Sequence, residues 1–138
     1  MPQQHQLPGQ PDPGTLRIAL EAAGIWTWEA DLVAETTVFQ DGFWEAFGHH
    51  HDGPVETFDF IQHMHRGDQR AVTRAWQAHL QGETEMYESE WRLRTASGEW
   101  RWIRSRGKVT RRDANGAPLW MVGVYMDITR EKEAQHAL

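Results

Sequence analysis

Hydrophobic residues along this chain change their period several times, and each change marks an element. Leu16, Ala19, Leu20 and Ala23 recur at helical spacing. They follow Asp12-Pro13, a capping residue and then a proline suited to the first helical position, and Gly24 ends the run. This predicts an amphipathic helix over 13–23. Ile25-Trp26-Thr27-Trp28-Glu29 then alternates and is rich in aromatic and β-branched residues, which predicts a strand. Thr36-Thr37-Val38-Phe39 is a second strand across a loop of hairpin length. The middle returns to helical spacing. Asp41 can cap a short helix over 42–47 carrying Phe43, Trp44 and Phe47, with Gly48 as its stop. His49-His50-His51-Asp52-Gly53-Pro54 reads as a solvated loop. Thr57 opens another short helix with Phe58, Phe60, Ile61 and Met64. Asp68 caps the longest helix, over 69–81, with Ala71, Val72, Ala75, Trp76 and Leu80 on one face.

The last third alternates again, in three long strands over 86–96, 99–111 and 118–127. Ser97-Gly98-Glu99 and Asn115-Gly116 supply the turns. Residues 130–138 then switch to a charged, helix-favouring composition. The order of elements predicts an α+β fold, one antiparallel sheet of five strands with short helices over one face. Residues 1–11 are mostly Gln, Pro and Gly, with little to bury, and are expected to form a disordered arm.

Composition adds limits. The 138 residues suffice for one domain with a real core, and 39% hydrophobic with 25% charged is an ordinary globular balance. There are no cysteines, which removes disulfides, thiolate metal sites and cysteine nucleophiles. A cytoplasmic location is expected. The N-terminus has neither the basic nor the apolar region of a signal peptide, and no apolar run has the length of a membrane span. A net charge of −6 argues against a nucleic-acid partner. Eight tryptophans in so short a chain must fill a core or line a cavity.

Candidate chemistry is thin. The run His49-His50-His51, with His63 and His65 nearby, invites a metal, but adjacent histidines in a loop point different ways and no second ligand cluster is placed by spacing. No metal site is assigned. Glu88, Glu90 and Arg92 share one strand face by alternation, read as the solvent side rather than a catalytic pair. Arg101, Arg104, Arg106, Lys108, Arg111 and Arg112 form a basic stripe expected to make cross-strand ion pairs. No convergent nucleophile or acid pair points to an enzyme.

Gly24-Ile25-Trp26-Thr27-Trp28-Glu29-Ala30-Asp31 resembles the opening strand of the PAS family, in the subgroup with a Trp-x-Trp start. His65-Arg66-Gly67-Asp68 resembles the turn before the family's long helix, with Arg66 where proline is usual and Gln69 where arginine is common. Glu90-Trp91-Arg92-Leu93-Arg94, Ser97 to Arg104, Gly116, Gly123-Val124 and Asp127-Ile128-Thr129 resemble its C-terminal half, motif by motif. The resemblance spans residues 13–138. It implies a non-enzymatic sensory module over 12–129, upstream of a histidine kinase or a cyclic-di-GMP enzyme and often dimeric through flanking helices. Residues 130–138 would then begin a linker helix cut before an effector domain. The resemblance argues against haem, because the ligand position on the long helix falls near Ala71 and not at His79. Flavin attached through cysteine is excluded, since there is no cysteine.

By the same resemblance, the strand parity of Ser89, Trp91 and Leu93 faces the interior. Trp26, Trp28, Ile103, Ser105, Met121, Gly123 and Tyr125 join it, beneath helices carrying Phe43, Phe47, Phe60, Ile61 and Trp76. Two readings stand side by side. One is a chamber for a small apolar or aromatic ligand. The other is a filled core in a docking module without a ligand. Asp127 and Thr129 are expected to form the output joint, Asp127 paired with Arg104 and Thr129 capping the last helix.

Overall fold

A computed structural model of the chain describes residue 9 and residues 12–137. Apart from Gly9, the arm expected over 1–11 lies outside them, as does Leu138. The chain begins with helix α1 (Pro13–Ala22), then strands β1 (Ile25–Asp31) and β2 (Thr36–Phe39). Helix α2 (Phe43–Ala46), strand β3 (Val55–Glu56), helix α3 (Thr57–Ile61) and helix α4 (Arg66–Leu80) follow. Strands β4 (Tyr87–Arg94), β5 (Trp100–Arg112) and β6 (Pro118–Asp127) lead into helix α5 (Thr129–His136).

Among the described residues the sheet has six strands in the order β3-β2-β1-β6-β5-β4, all neighbours antiparallel. The expected five therefore become six. The extra strand is the two-residue β3, which pairs Val55 with Thr37 and Glu56 with Thr36 at the sheet edge. So short a pairing leaves no alternation to read. Strand β6 lies between β1 and β5, so the end of the chain is stitched into the middle of the sheet.

One face of the sheet carries the core. Trp28, Trp91, Phe43, Leu93, Ile103 and Met121 are almost fully buried there. Trp28 sits opposite Gly123 on β6, which in turn pairs with Gly107 on β5. A Cβ at Gly107 would lie 2.7 Å from the Trp28 ring, and one at Gly123 would overlap both that ring and the Arg106 carbonyl. The two glycines make the bed on which the indole lies. Helix α4 covers the far half of this face. His79, near its C-terminus, is 3% exposed. Its Nε2 accepts the Val109 N–H at 2.9 Å and its Nδ1–H donates to the Thr84 carbonyl at 3.0 Å. That ring fastens α4 to β5, with both of its nitrogens engaged by the backbone.

Several local expectations change. The N-cap of α4 is His65, whose Nδ1 accepts from Gly67 N at 2.9 Å. Asp68 instead reaches β4, where it accepts from the Arg92 backbone N–H at 2.8 Å and from the Arg92 guanidinium. The N-cap of α2 is Gly42 in the left-handed region, not Asp41. Ala71 and Phe58 face outward rather than into the core, and Phe58 is 72% exposed.

Candidate ligand cavity and output joint

Between the sheet and helices α3 and α4 lies a cavity of about 300 Å³. Its inner wall is aromatic: Trp28, Phe60, Trp76, Tyr87, Trp91 and Tyr125. Alternation puts Tyr87 and Trp91 on one side of β4, while Val72, Trp76 and Leu80 recur along α4 at helical spacing. Toward the surface the lining turns polar, with Thr36, Thr37 and Thr57 beside Asp31 and Glu35. Gln69 also lines the cavity, its amide donating to the carbonyls of Ile61 and Met64. The rings are ordered against one another. Trp28 and Tyr125 stack with centroids 5.6 Å apart, and Phe60 lies nearly parallel to Tyr125 at 6.1 Å. Burial pushes the Tyr125 hydroxyl well above its usual range. Burial also raises Tyr87, partly offset by its 2.6 Å hydrogen bond with Ser89. The indole N–H of Trp28 is buried and has no partner.

Of the expected chamber residues, Trp28, Phe60, Ile61, Trp76, Trp91 and Tyr125 line this cavity. Trp26, Phe43, Phe47, Ser89, Ile103, Ser105 and Met121 do not. Trp26, Phe43 and Phe47 form a packed aromatic cluster nearer α2, with centroids 5.3–5.6 Å apart. Ile103, Ser105 and Met121 are buried in the sheet surface. Ser89 is engaged with Tyr87. The interior is thus divided, packed at one end and hollow at the other. Tyr87 escaped the sequence reading although it shares the parity of Ser89, Trp91 and Leu93. Thr37, Gln69 and the other rim residues gave no signal as cavity lining, because they sit on a short strand and a helix flank.

The joint at the end of β6 is a closed hydrogen-bond network. Asp127 Oδ1 accepts from Thr129 N at 3.0 Å and from Thr129 Oγ1 at 2.6 Å. Thr129 Oγ1 in turn accepts the Trp102 N–H at 2.9 Å. Asp127 Oδ2 accepts from Arg101, at 2.8 Å from Nη2 and 3.1 Å from Nε. The expected pair with Arg104 does not form, for a reason of parity. Asp127 stands opposite Ile103, so it shares a sheet face with Arg101, two residues along, and not with Arg104. Arg104 pairs with Glu90 on the other face at 3.0 Å. Thr129 is also not the cap: it is the first helical residue, and Asp127 two residues earlier plays the Asx role. Glu90 binds Lys132 of α5 at 2.6 Å as well, and Lys132 followed by Arg104 holds its carboxyl below the usual range. Arg106 pairs with Glu88 at 2.6 Å, so the stripe does make cross-strand ion pairs.

The histidine run is only partly solvated. His50 is exposed and bonded to Glu45 and Asp52. His49 and His51 turn inward against Trp44 and His63. Burial, reinforced by His49 and His51, brings His63 down to about 4.

A twisted antiparallel sheet with short helices and one long helix over a single face, hollow beneath the long helix, is the architecture of a sensory domain. The sequence model of the PAS fold family matches residues 37–125, and the chain belongs to that family. It is similar to the Sensor protein FixL of Bradyrhizobium diazoefficiens, 26% identical over 131 residues, which is 93% of this chain and 26% of that protein. The chain therefore spans about a quarter of that relative's length. Among solved structures it is similar to a sensory box histidine kinase/response regulator from Burkholderia thailandensis. There the TM-score is 0.75 and identity 28%, covering 88% of this chain and 90% of that one. The N-terminal domain of a diguanylate cyclase with PAS/PAC sensor from Marinobacter aquaeolei shares the fold, with TM-score 0.67 and 21% identity over 78% of this chain and 98% of that one. The module is sensory, and PAS domains are not catalytic. No helix among the described residues is long and apolar enough to cross a membrane.

Proposed function

We propose that this domain takes a small apolar or aromatic molecule into the cavity beneath α4 and passes the event along β6 to α5. Asp127 and Thr129 would be the joint, and the recipient an effector domain of the histidine kinase or cyclic-di-GMP class. The observation that carries the reading is the cavity itself. Its volume of about 300 Å³ lies at the lower end for ligand sites, which suits a compact ligand of roughly one or two rings. Aromatic walls favour such a ligand by stacking and dispersion. The unpartnered Trp28 N–H favours one that also brings an acceptor, since a buried donor left unpaired costs about 1–3 kcal/mol. The same reading places the domain in the bacterial cytoplasm, with which the absence of cysteine is compatible.

A second reading, a dimerisation or docking module with no ligand, is favoured by two observations. The cluster of Trp26, Phe39, Phe43 and Phe47 already fills the other half of the interior. Leu16 and Ile18 on α1 are 51% and 66% exposed, which suits a homodimer through flanking helices. Absorbance and native mass spectrometry of the purified domain distinguish the two. The sensor reading expects a bound small molecule, or a rise in melting temperature with small aromatic compounds that Trp76→Ala weakens. A ligand-free domain whose melting no such compound moves would leave the docking module in its place.

A further inference from the structure

The inward-turned histidines form a second feature, apart from the cavity and independent of what the cavity binds. Trp44, 4% exposed, is flanked by the rings of His51 at 4.4 Å and His63 at 4.9 Å. The Nε2 atoms of His51 and His63 face each other at 3.1 Å. The third inward ring, His49, is committed elsewhere: its Nε2 lies 2.6 Å from the Arg94 carbonyl, so it donates there. His50 points away, toward Glu45 and Asp52.

Two imidazole nitrogens can approach this closely in only two ways. In one, the N–H of one ring donates to the lone pair of the other. In the other, both lone pairs converge on a common cation. A metal bound at about 2.0–2.1 Å to each of two nitrogens in tetrahedral geometry holds them about 3.3 Å apart. The observed separation is already close to that span, so little movement of either ring is needed.

We propose that His51 and His63 form an open, two-imidazole site for a divalent transition-metal ion. Among the described residues no group of three or more His, Cys, Asp and Glu side chains is placed to hold a metal. Water therefore completes the coordination, and affinity is lower than at a closed structural site. Imidazole donors with open positions suit copper, nickel and zinc, with copper(II) bound most tightly in the usual order of stabilities. The ion would link the loop before β3 to the turn between α3 and α4. Phe60 and Ile61 at the end of α3, and Met64 next to His63 in that turn, all line the cavity. Metal binding would thus brace one wall of the cavity from outside.

The test uses the untagged chain, titrated with copper(II) chloride and with zinc chloride in a non-coordinating buffer. Native mass spectrometry reads stoichiometry, and tryptophan emission reads the site, because Trp44 lies against both ligands. The expected result is one ion per chain, copper(II) tighter than zinc and quenching part of the emission. His51→Gln and His63→Gln should each weaken binding by about tenfold or more. His50→Gln, which alters the exposed neighbour, should leave it unchanged. Should His63→Gln fail to fold, His51→Gln decides alone, since that residue lies in a surface loop. The proposal is overturned if no stoichiometric complex forms. It is equally overturned if His51→Gln binds as well as the parent chain, or if His50→Gln loses the ion instead.

Discussion

Asp127→Ala is the sharpest probe of the joint, because four hydrogen bonds end on this one carboxylate. The bonds from Thr129 N and Thr129 Oγ1 start the last helix, and removing a cap of this kind costs about 0.5–2 kcal/mol. The Arg101 pair adds less than its short distances suggest. The Arg101 side chain is 39% exposed, so water takes up the freed guanidinium, and such pairs are worth about 0–1 kcal/mol. A further cost of about 1 kcal/mol follows if Thr129 Oγ1, freed from Asp127, stops accepting from the Trp102 N–H. Together these predict a loss of about 2–3 kcal/mol, or roughly 5–12 °C in melting temperature for a domain of this size. Urea unfolding followed by circular dichroism measures it. Arg101→Ala should cost about 1 kcal/mol or less, and its effect should vanish in the Asp127→Ala background, because the two act as one pair. Arg104→Ala should couple with Glu90 and not with Asp127. In a parent protein carrying an effector, output must be compared at a temperature where both forms are folded. A loss below about 0.5 kcal/mol for Asp127→Ala, or coupling of Asp127 to Arg104, would refute the network as described.

Gly123→Ala forces a methyl group into both the Trp28 ring and the Arg106 carbonyl. It should cost at least the 1–3 kcal/mol or so typical of overpacking, with part recovered when Trp28 is also reduced to Leu; an unchanged melt would show that the indole does not lie on the glycine bed. His79→Ala leaves the Val109 N–H unpaired beneath α4 and should cost about 1–3 kcal/mol, with faster amide exchange at Val109 as the specific sign. Burial works against the Asp68 charge, but the Arg92 hydrogen bonds outweigh it and hold the carboxyl below the usual range. This stabilisation is present above the ordinary carboxylate value and is lost as pH falls through the folded one, so Arg92→Gln should flatten the acid limb of stability against pH. Deleting residues 1–23 should lower stability or change oligomeric state, as sedimentation would show; if both stay the same, α1 has no covering role.

Much of the fold was legible because period separates the element types cleanly. Trp26 and Trp28 mark a strand, Val72 to Leu80 a helix, and the turns at Gly98 and Gly116 fall where glycine has positive φ. Pairing was less legible than type. Alternation places Asp127 on a face only once its partner on β5 is known, and a slip of one residue exchanges Arg101 for Arg104. His79 gave no signal, since a histidine on a helix looks the same whether it faces water or receives a strand N–H. The chamber was half legible. Parity identified the residues that face inward, but the division into a packed end and a hollow end depends on how far α4 stands off the sheet, which no local pattern encodes.

The cavity wall and the joint share one strand, and this limits how a signal could travel. Tyr125 faces the cavity, and Asp127, two residues on, faces the same side. The Asp127 N–H donates to the Gly24 carbonyl at 2.9 Å, just after α1, and the Ile128 N–H to the Trp102 carbonyl. The end of β6 therefore adjoins the end of α1 and the start of α5. A ligand shifts an equilibrium only by its differential affinity for two arrangements, so some element must have two. The strands are poor candidates, since β6 is paired on both sides along most of its length. Helix α5 is the better one. Its first turn is fixed by the largely buried Asp127–Thr129 knot, while Glu90–Lys132 and the Lys132–Trp102 contact clamp it one turn further from the outer face. A partly exposed pair of that kind is worth about 1 kcal/mol and releases more readily than the buried knot. On the proposed reading the knot is the pivot, the Lys132 clamp is the catch, and a ring displaced at Tyr125 need move β6 only slightly to favour one state of the catch over the other.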